Sequence, residues 1–194
     1  MSNPKKHSQT PSQTVGPFFA YGLTPEQYRY SLTSVAHPDI VDPEMGGAHI
    51  LITGQVFDGE GKTVGDAMLE FRQANHEGTY SKRAEDDFMG FGRVGTGTEQ
   101  AHRYEIRTIK PGSKPGQAPH IDVTLFMRGM LNHLYTRIYF SDETEANAHD
   151  PILQLVPEDR QASLIATRKE VNGRLIYHFD IYMQGEQETV FFDV

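Results

Sequence analysis

Cysteine is absent from the 194 residues, so neither a disulfide framework nor a thiolate metal site is open to this chain, and an intracellular, cytoplasmic location is the expectation. Long apolar runs are missing too: no stretch approaches the roughly 18 residues that a membrane-spanning helix requires. The opening Met1-Ser-Asn-Pro-Lys-Lys-His7 carries two lysines with no apolar run behind them, so no secretory signal is expected. Positive charge is in short supply. A formal net charge of −8 argues against a nucleic-acid-binding surface, which would show as a basic patch. So mild an acidity says little about the substrate, because one arginine can hold an anion locally. The glycine-flanked serine elbow Gly-x-Ser-x-Gly of the serine hydrolases does not occur, and the glycines between residues 90 and 97 lack the Lys-Ser/Thr ending of a phosphate loop.

What is present suffices for one globular domain. The chain is 37% hydrophobic and 10% aromatic, enough for a core that needs no metal or disulfide. Residues 1–48 read differently from the rest. Pro4, Pro11, Pro17, Pro25, Pro38 and Pro43 punctuate them, and the apolar clusters are short, so they are expected to form an irregular arm packing on a partner chain. One helical turn is expected at Pro25–Tyr30, with Thr24 as its N-cap. From His49 onward the pattern is that of an all-β sandwich of mainly antiparallel strands with few short helices, spanning residues 49–194. Strands are expected at 49–57, 68–73, 104–109, 121–127, 136–140, 175–182 and 189–192, and short helices at 141–148 and 158–164. Residues 82–102, with four glycines, read as loop.

The centre of the chain is a Pro/Gly-rich loop from Pro111 to Pro119 that delivers His120-Ile-Asp122 onto an apolar strand. Residues two apart share a strand face, so His120 and Asp122 point one way while Ile121, Val123 and Leu125 point the other. Such a pair suggests two-thirds of a His/His/carboxylate iron site, with His178 as the remaining ligand. The 2-oxoglutarate oxygenases that use such sites also carry an arginine or lysine shortly after the distal histidine, and none follows Arg174 here. A solvated strand edge is the plainer reading of the pair. His49, His76, His102 and His149 fall at turns or strand edges and read as solvated.

Several separated stretches carry a resemblance. Thr10-Pro-Ser-Gln-Thr-Val-Gly-Pro17, Gly54-Gln-Val-Phe-Asp-Gly59, Arg72-Gln-Ala-Asn-His-Glu-Gly-Thr-Tyr80, Phe91-Gly-Arg93, Thr108-Ile-Lys-Pro-Gly112, Ala118-Pro-His-Ile121 and Thr189-Val-Phe-Phe-Asp193 together resemble the intradiol ring-cleavage dioxygenases from about residue 10 to the C-terminus. Catalytic members of that family hold non-haem Fe(III) with two tyrosines and two histidines. Mapped onto this sequence, the first tyrosine is Tyr80 and the first histidine His120. Ser113-Lys114-Pro115 stands where the second tyrosine belongs, Asp122 stands in place of the second histidine, and Gln117 replaces an arginine that supports the developing ring charge.

These departures imply a chain that binds no metal of its own and contributes no catalytic residue. Tyr80, His120 and Asp122 are expected to be vestigial ligand positions joined by hydrogen bonds. The resemblance further implies an obligate, homologous, iron-bearing partner chain in a larger oligomer, with this chain lending part of the wall of the partner's pocket for a carboxylated catechol. Thr14, Gly16 and Pro17 match the arm turn that lines such a pocket, and Arg128 matches an arginine expected to meet the substrate carboxylate. Arg137 is the competing arginine, read as a structural strand residue. The alternative is a scaffold that stabilises the partner without touching substrate.

Overall fold

The computed structural model describes residues 8–16, 18–41, 44–81, 88–97 and 101–193. Among the described residues nine strands carry the fold: β1 (His49–Phe57), β2 (Met68–Gln73), β3 (Phe91–Gly95), β4 (Arg103–Ile109), β5 (His120–Phe126), β6 (Leu134–Phe140), β7 (Ile165–Val171), β8 (Arg174–His178) and β9 (Ile181–Tyr182). They run in the order β3-β2-β5-β6-β7-β8-β1-β4, with β9 pairing β1. The two halves of this path, β3-β2-β5-β6 and β7-β8-β1-β4, face each other and are joined at one edge by a short parallel step, Tyr139 to Ile165 and Phe140 to Ala166. Most other pairings are antiparallel; β1 runs parallel to β8 and β9. The all-β sandwich expected from the strand spacing is the architecture found.

Period-two alternation builds the core. Ile50 and Ile52 of β1, Leu69 and Phe71 of β2, Tyr104 and Ile106 of β4, Ile121, Val123 and Leu125 of β5, and Ile138 and Phe140 of β6 meet in one cluster between the sheets. The partners of these residues, one position away, form the outer faces. On the β2-β5-β6 face these are Glu70 and Arg72, His120 and Asp122, and Arg137 and Tyr139, and that face carries the site.

Several elements depart from the expected pattern. A strand, β3, occupies part of the stretch read as loop; the flanking residues 82–87 and 98–100 lie outside the described residues. Its glycines are explained by what crosses it. A Cβ on Gly92 would come within 2.5 Å of Ile40 Cγ1 and 2.8 Å of the His37 carbonyl, so a side chain there would displace the N-terminal segment. Strand β7 was not expected because most of its residues are exposed and polar. The missed signal was Asn172-Gly173, whose φ values of 52° and 75° make the two-residue hairpin from Val171 to Arg174. The expected strand 175–182 is broken between β8 and β9, and 189–192 makes only a bridge, Phe192 to Tyr135, with no regular strand.

The helices expected at 141–148 and 158–164 appear as α2 (Thr144–Ala148) and α3 (Glu158–Gln161), the latter running into a 3₁₀ turn at Ala162–Leu164. The N-terminal segment forms a short helix, α1 (Phe19–Leu23), and a 3₁₀ turn at Glu26–Tyr28. Thr24 is not the N-cap of that turn: its hydroxyl donates back to Ala20 O at 2.8 Å, closing α1. Residues 18–41 lie on the chain's own sandwich. Arg93 N–H donates to His37 O, Ile40 N–H donates to Arg107 O, and the Gln27 amide pairs with both polar atoms of the Gly95 backbone. Phe18, Tyr30, Leu32 and Val35 remain exposed along this segment. No helix among the described residues is long and apolar enough to cross a membrane.

Candidate functional site

The turn that presents Tyr80 is built by Asn75. Its side-chain Oδ1 accepts the amides of Glu77 at 3.0 Å and Thr79 at 2.9 Å, and its carbonyl accepts those of Gly78 and Gly112. Gly78 has φ 81°, and a Cβ there would stand 2.0 Å from Ser113 O, so the turn packs directly on the Pro/Gly loop ahead of β5. Tyr80 is thereby aimed at the first residue of that strand. Arg72 and Lys114 stand over its ring, at 5.8 Å and 5.7 Å from the centroid.

His120 is 4% exposed, and its protonation follows from its partners. Nδ1 lies 2.8 Å from Ala118 O, which can only accept, so Nδ1 carries the proton. Burial holds His120 below the ordinary imidazole value, which leaves a neutral ring with Nε2 as acceptor. The Tyr80 hydroxyl, 3.3 Å away, donates to it. Tyr80 in turn is pushed up to about 12, first by burial and then by the Asp122 carboxylate, so it is a phenol at neutral pH.

Asp122 stands opposite Arg137 in the β5–β6 ladder, and Arg137 Nε donates to Asp122 Oδ1 at 2.8 Å. Asp122 Oδ1 is 3.9 Å from His120 Nε2. A concave groove of about 810 Å³ opens onto this pair, walled by Arg72, Tyr135, Leu155 and Phe192. Behind it lies a part of the site that the sequence reading missed. Asp150 is fully buried and accepts from Ala118 N, Ile152 N, Leu153 N and the Tyr139 hydroxyl, so it fixes the loop that carries His120. An aspartate directly before Pro151 at a helix end gave no sequence signal beyond capping.

Tyr80, His120 and Asp122 are therefore brought together, and the expected hydrogen bond between Tyr80 and His120 is present. These residues do not fit a ferric ion. Asp122, in the place of the second histidine, is engaged by the Arg137 guanidinium. Ser113 is exposed and offers no phenolate. His178 is not part of the cluster: it lies on β8 in the other sheet, with Nε2 3.0 Å from Asp180 Oδ2. Of the other histidines, His49, His76 and His149 are exposed, while His102 is partly buried and contacts Thr63 Oγ1 through Nδ1 at 3.0 Å.

The remaining site residues gather at the far end of β5. Thr14 Oγ1 accepts the Gly129 amide at 2.8 Å, which sets the arm beside Arg128. Arg128 is exposed and ion-paired through Nε with Asp66. Gly16 is exposed, and Pro17 lies outside the described residues. Phe126 is six residue steps along β5 from His120, so at ~3.3 Å per step the two groups of residues stand about 20 Å apart. They form two places, not one.

A family model described as "Dioxygenase" matches residues 16–185. This chain belongs to the intradiol dioxygenase family. It is 54% identical over 192 residues to the protocatechuate 3,4-dioxygenase alpha chain of Burkholderia cepacia, covering 96% of this chain and 98% of that one. It is also 35% identical over 161 residues to the protocatechuate 3,4-dioxygenase beta chain of the same organism, covering 74% of this chain and 67% of that chain. Among solved structures, the dioxygenase domain of a dioxygenase carbohydrate-binding fusion from Streptomyces sp. SirexAA-E superposes with a TM-score of 0.62 at 23% identity, over 94% of this chain and all of the other, a likeness of fold. The intradiol dioxygenases are non-haem iron enzymes, and the alpha and beta names of the relatives mark a heteromeric assembly.

Proposed function

We propose that this chain is the alpha subunit of a protocatechuate 3,4-dioxygenase, which cleaves protocatechuate with O₂ between its two hydroxyl-bearing carbons to give 3-carboxy-cis,cis-muconate in aromatic catabolism. The observation that carries the reading is the 54% identity to an alpha chain over nearly the whole length, together with an Asp122 held by Arg137 where a second histidine would be needed. Fe(III) would be held by the homologous beta chain and would supply the activation of the catechol toward O₂ there. The residues of this chain do not hold it.

What this chain supplies is binding. The Thr14–Gly16 turn brings backbone close to a flat ring without side-chain bulk, and the exposed Arg128 guanidinium offers a charged fork for a carboxylate. The tether from Thr14 to Gly129 supports a joint role, since it holds the arm and the arginine in one place. The exposed Phe18, Tyr30, Leu32 and Val35 supply apolar area for an obligate contact with the beta chain, so the free chain is expected to be poorly stable. A scaffold role without substrate contact draws support from the Arg128–Asp66 pair, which occupies the arginine within the chain itself.

The test is expression with and without the beta chain. Alone, this chain should be colourless and inactive; together, the pair should consume O₂ and protocatechuate with ferric iron bound. A coloured, iron-loaded alpha chain purified alone refutes the assignment.

A further inference from the structure

The vestigial cluster still brings ligand-type side chains together. A phenol, an imidazole and a carboxylate converge from two neighbouring elements; Arg72 and Lys114 stand over the outer ring of Tyr80, and the cation bonded into the cluster is Arg137, Nε 2.8 Å from Asp122 Oδ1. The guanidinium is not there by chance of rotamer. Asp122 and Arg137 are direct cross-strand partners, so the β5–β6 register itself delivers the charge. Its side chain is 19% exposed, and its Nη1 is buried with no hydrogen-bond partner among the described residues. Inaccessibility does not keep metal out, because the groove of about 810 Å³ opens onto the same two residues.

We propose that the Arg137 guanidinium holds the place of the metal in this chain, satisfying Asp122 and excluding cations from Tyr80 and His120. This rests on the reading of the chain as the metal-free subunit and names the residue responsible. An imidazole and a carboxylate side by side are donors that suit divalent transition ions. A fixed positive charge within a few ångströms opposes such binding. It also explains why Asp122 is tolerated on a half-buried strand face.

The experiment uses the assembled alpha–beta enzyme, titrated with Co²⁺ and followed by visible absorption and by metal stoichiometry. Three alpha-chain variants are compared: Asp122→His, Asp122→His/Arg137→Gln and Asp122→His/Arg137→Lys. The glutamine double variant should bind one additional Co²⁺ per alpha chain at least tenfold more tightly than Asp122→His, and the lysine double variant, which keeps a cation, should stay with Asp122→His. Equal Co²⁺ binding by all three overturns the proposal. So does a glutamine variant that assembles normally, by size-exclusion chromatography, and binds none. If it fails to assemble, the comparison of Asp122→His with the lysine variant decides: tight Co²⁺ binding by either overturns the proposal, and exclusion by both upholds it. Iron in wild-type enzyme beyond one per pair would refute the underlying reading instead, before any variant is made.

Discussion

The Thr14 hydroxyl and the Gly129 amide, 115 positions apart in sequence, meet at 2.8 Å, and that single bond sets the N-terminal arm beside Arg128. If the arm and the arginine form one wall of the substrate pocket, cutting the bond should loosen both. In the assembled enzyme, Thr14→Ala should raise KM for protocatechuate about threefold to tenfold, the equivalent of about 0.5–1.5 kcal/mol for one hydrogen bond. Thr14→Ser should stay near wild type. Steady-state kinetics on enzyme matched for iron content checks this, and an unchanged KM favours the scaffold reading.

Arg128 and Asp66 give opposite predictions. Removing the guanidinium in Arg128→Ala should raise KM about tenfold with kcat and iron content unchanged, as for loss of a charge-assisted contact made equally in ground and transition states. Asp66 competes with the substrate carboxylate for the same guanidinium. Asp66→Asn should therefore lower KM, and both effects should shrink as salt is raised. Two flat responses would remove Arg128 from the pocket.

How much of this was legible beforehand differs by element. His120 and Asp122 sharing a face followed from strand periodicity, and Ile121, Val123 and Leu125 are indeed buried opposite them. The core strands showed the same alternation. What escaped were elements stabilised by something other than their own pattern. Strand β3 is rich in glycine because the N-terminal segment crosses it, a tertiary cause invisible locally. Strand β7 is exposed from Thr167 to Val171, so no apolar period marks it. In the site, motif positions identified Tyr80 and His120, whereas the roles of Arg137 and Asp150 come from cross-strand register and from buried backbone donors, which a linear sequence does not display.

The Tyr80 phenol carries a pH prediction. Its pKa is pushed up to about 12 by burial and by Asp122, against an ordinary value of 10.0. Between these values the unfolded chain has lost the proton that the folded chain retains, so stability is full below pH 10 and falls as pH rises from 10 toward 12. Tyr80→Phe has no proton to lose there and should show a shallower alkaline decline. Ultraviolet tyrosinate titration of wild type against Tyr80→Phe should give a difference component with its midpoint well above 10. A midpoint near 10 would mean the hydroxyl is solvated and the bond to His120 absent.

Asp150 tests whether the scaffold under the vestigial site is structural. Its carboxylate is fully buried and takes three backbone amides, those of Ala118, Ile152 and Leu153, besides the Tyr139 hydroxyl. Replacement by alanine leaves four buried donors without an acceptor, each costing about 1–3 kcal/mol if water does not enter, so the loss should be several kcal/mol. Asp150→Asn keeps the shape and one oxygen but turns an NH₂ toward donors, and should cost less than alanine while remaining destabilising. Since Ala118 is bonded to Asp150 through its amide and to His120 through its carbonyl, both variants should also displace the His120 ring. Thermal unfolding measures the first effect and histidine NMR the second. Burial keeps wild-type His120 neutral, with its midpoint below 6.5, so a freed ring should titrate nearer that value while an undisturbed one should not move.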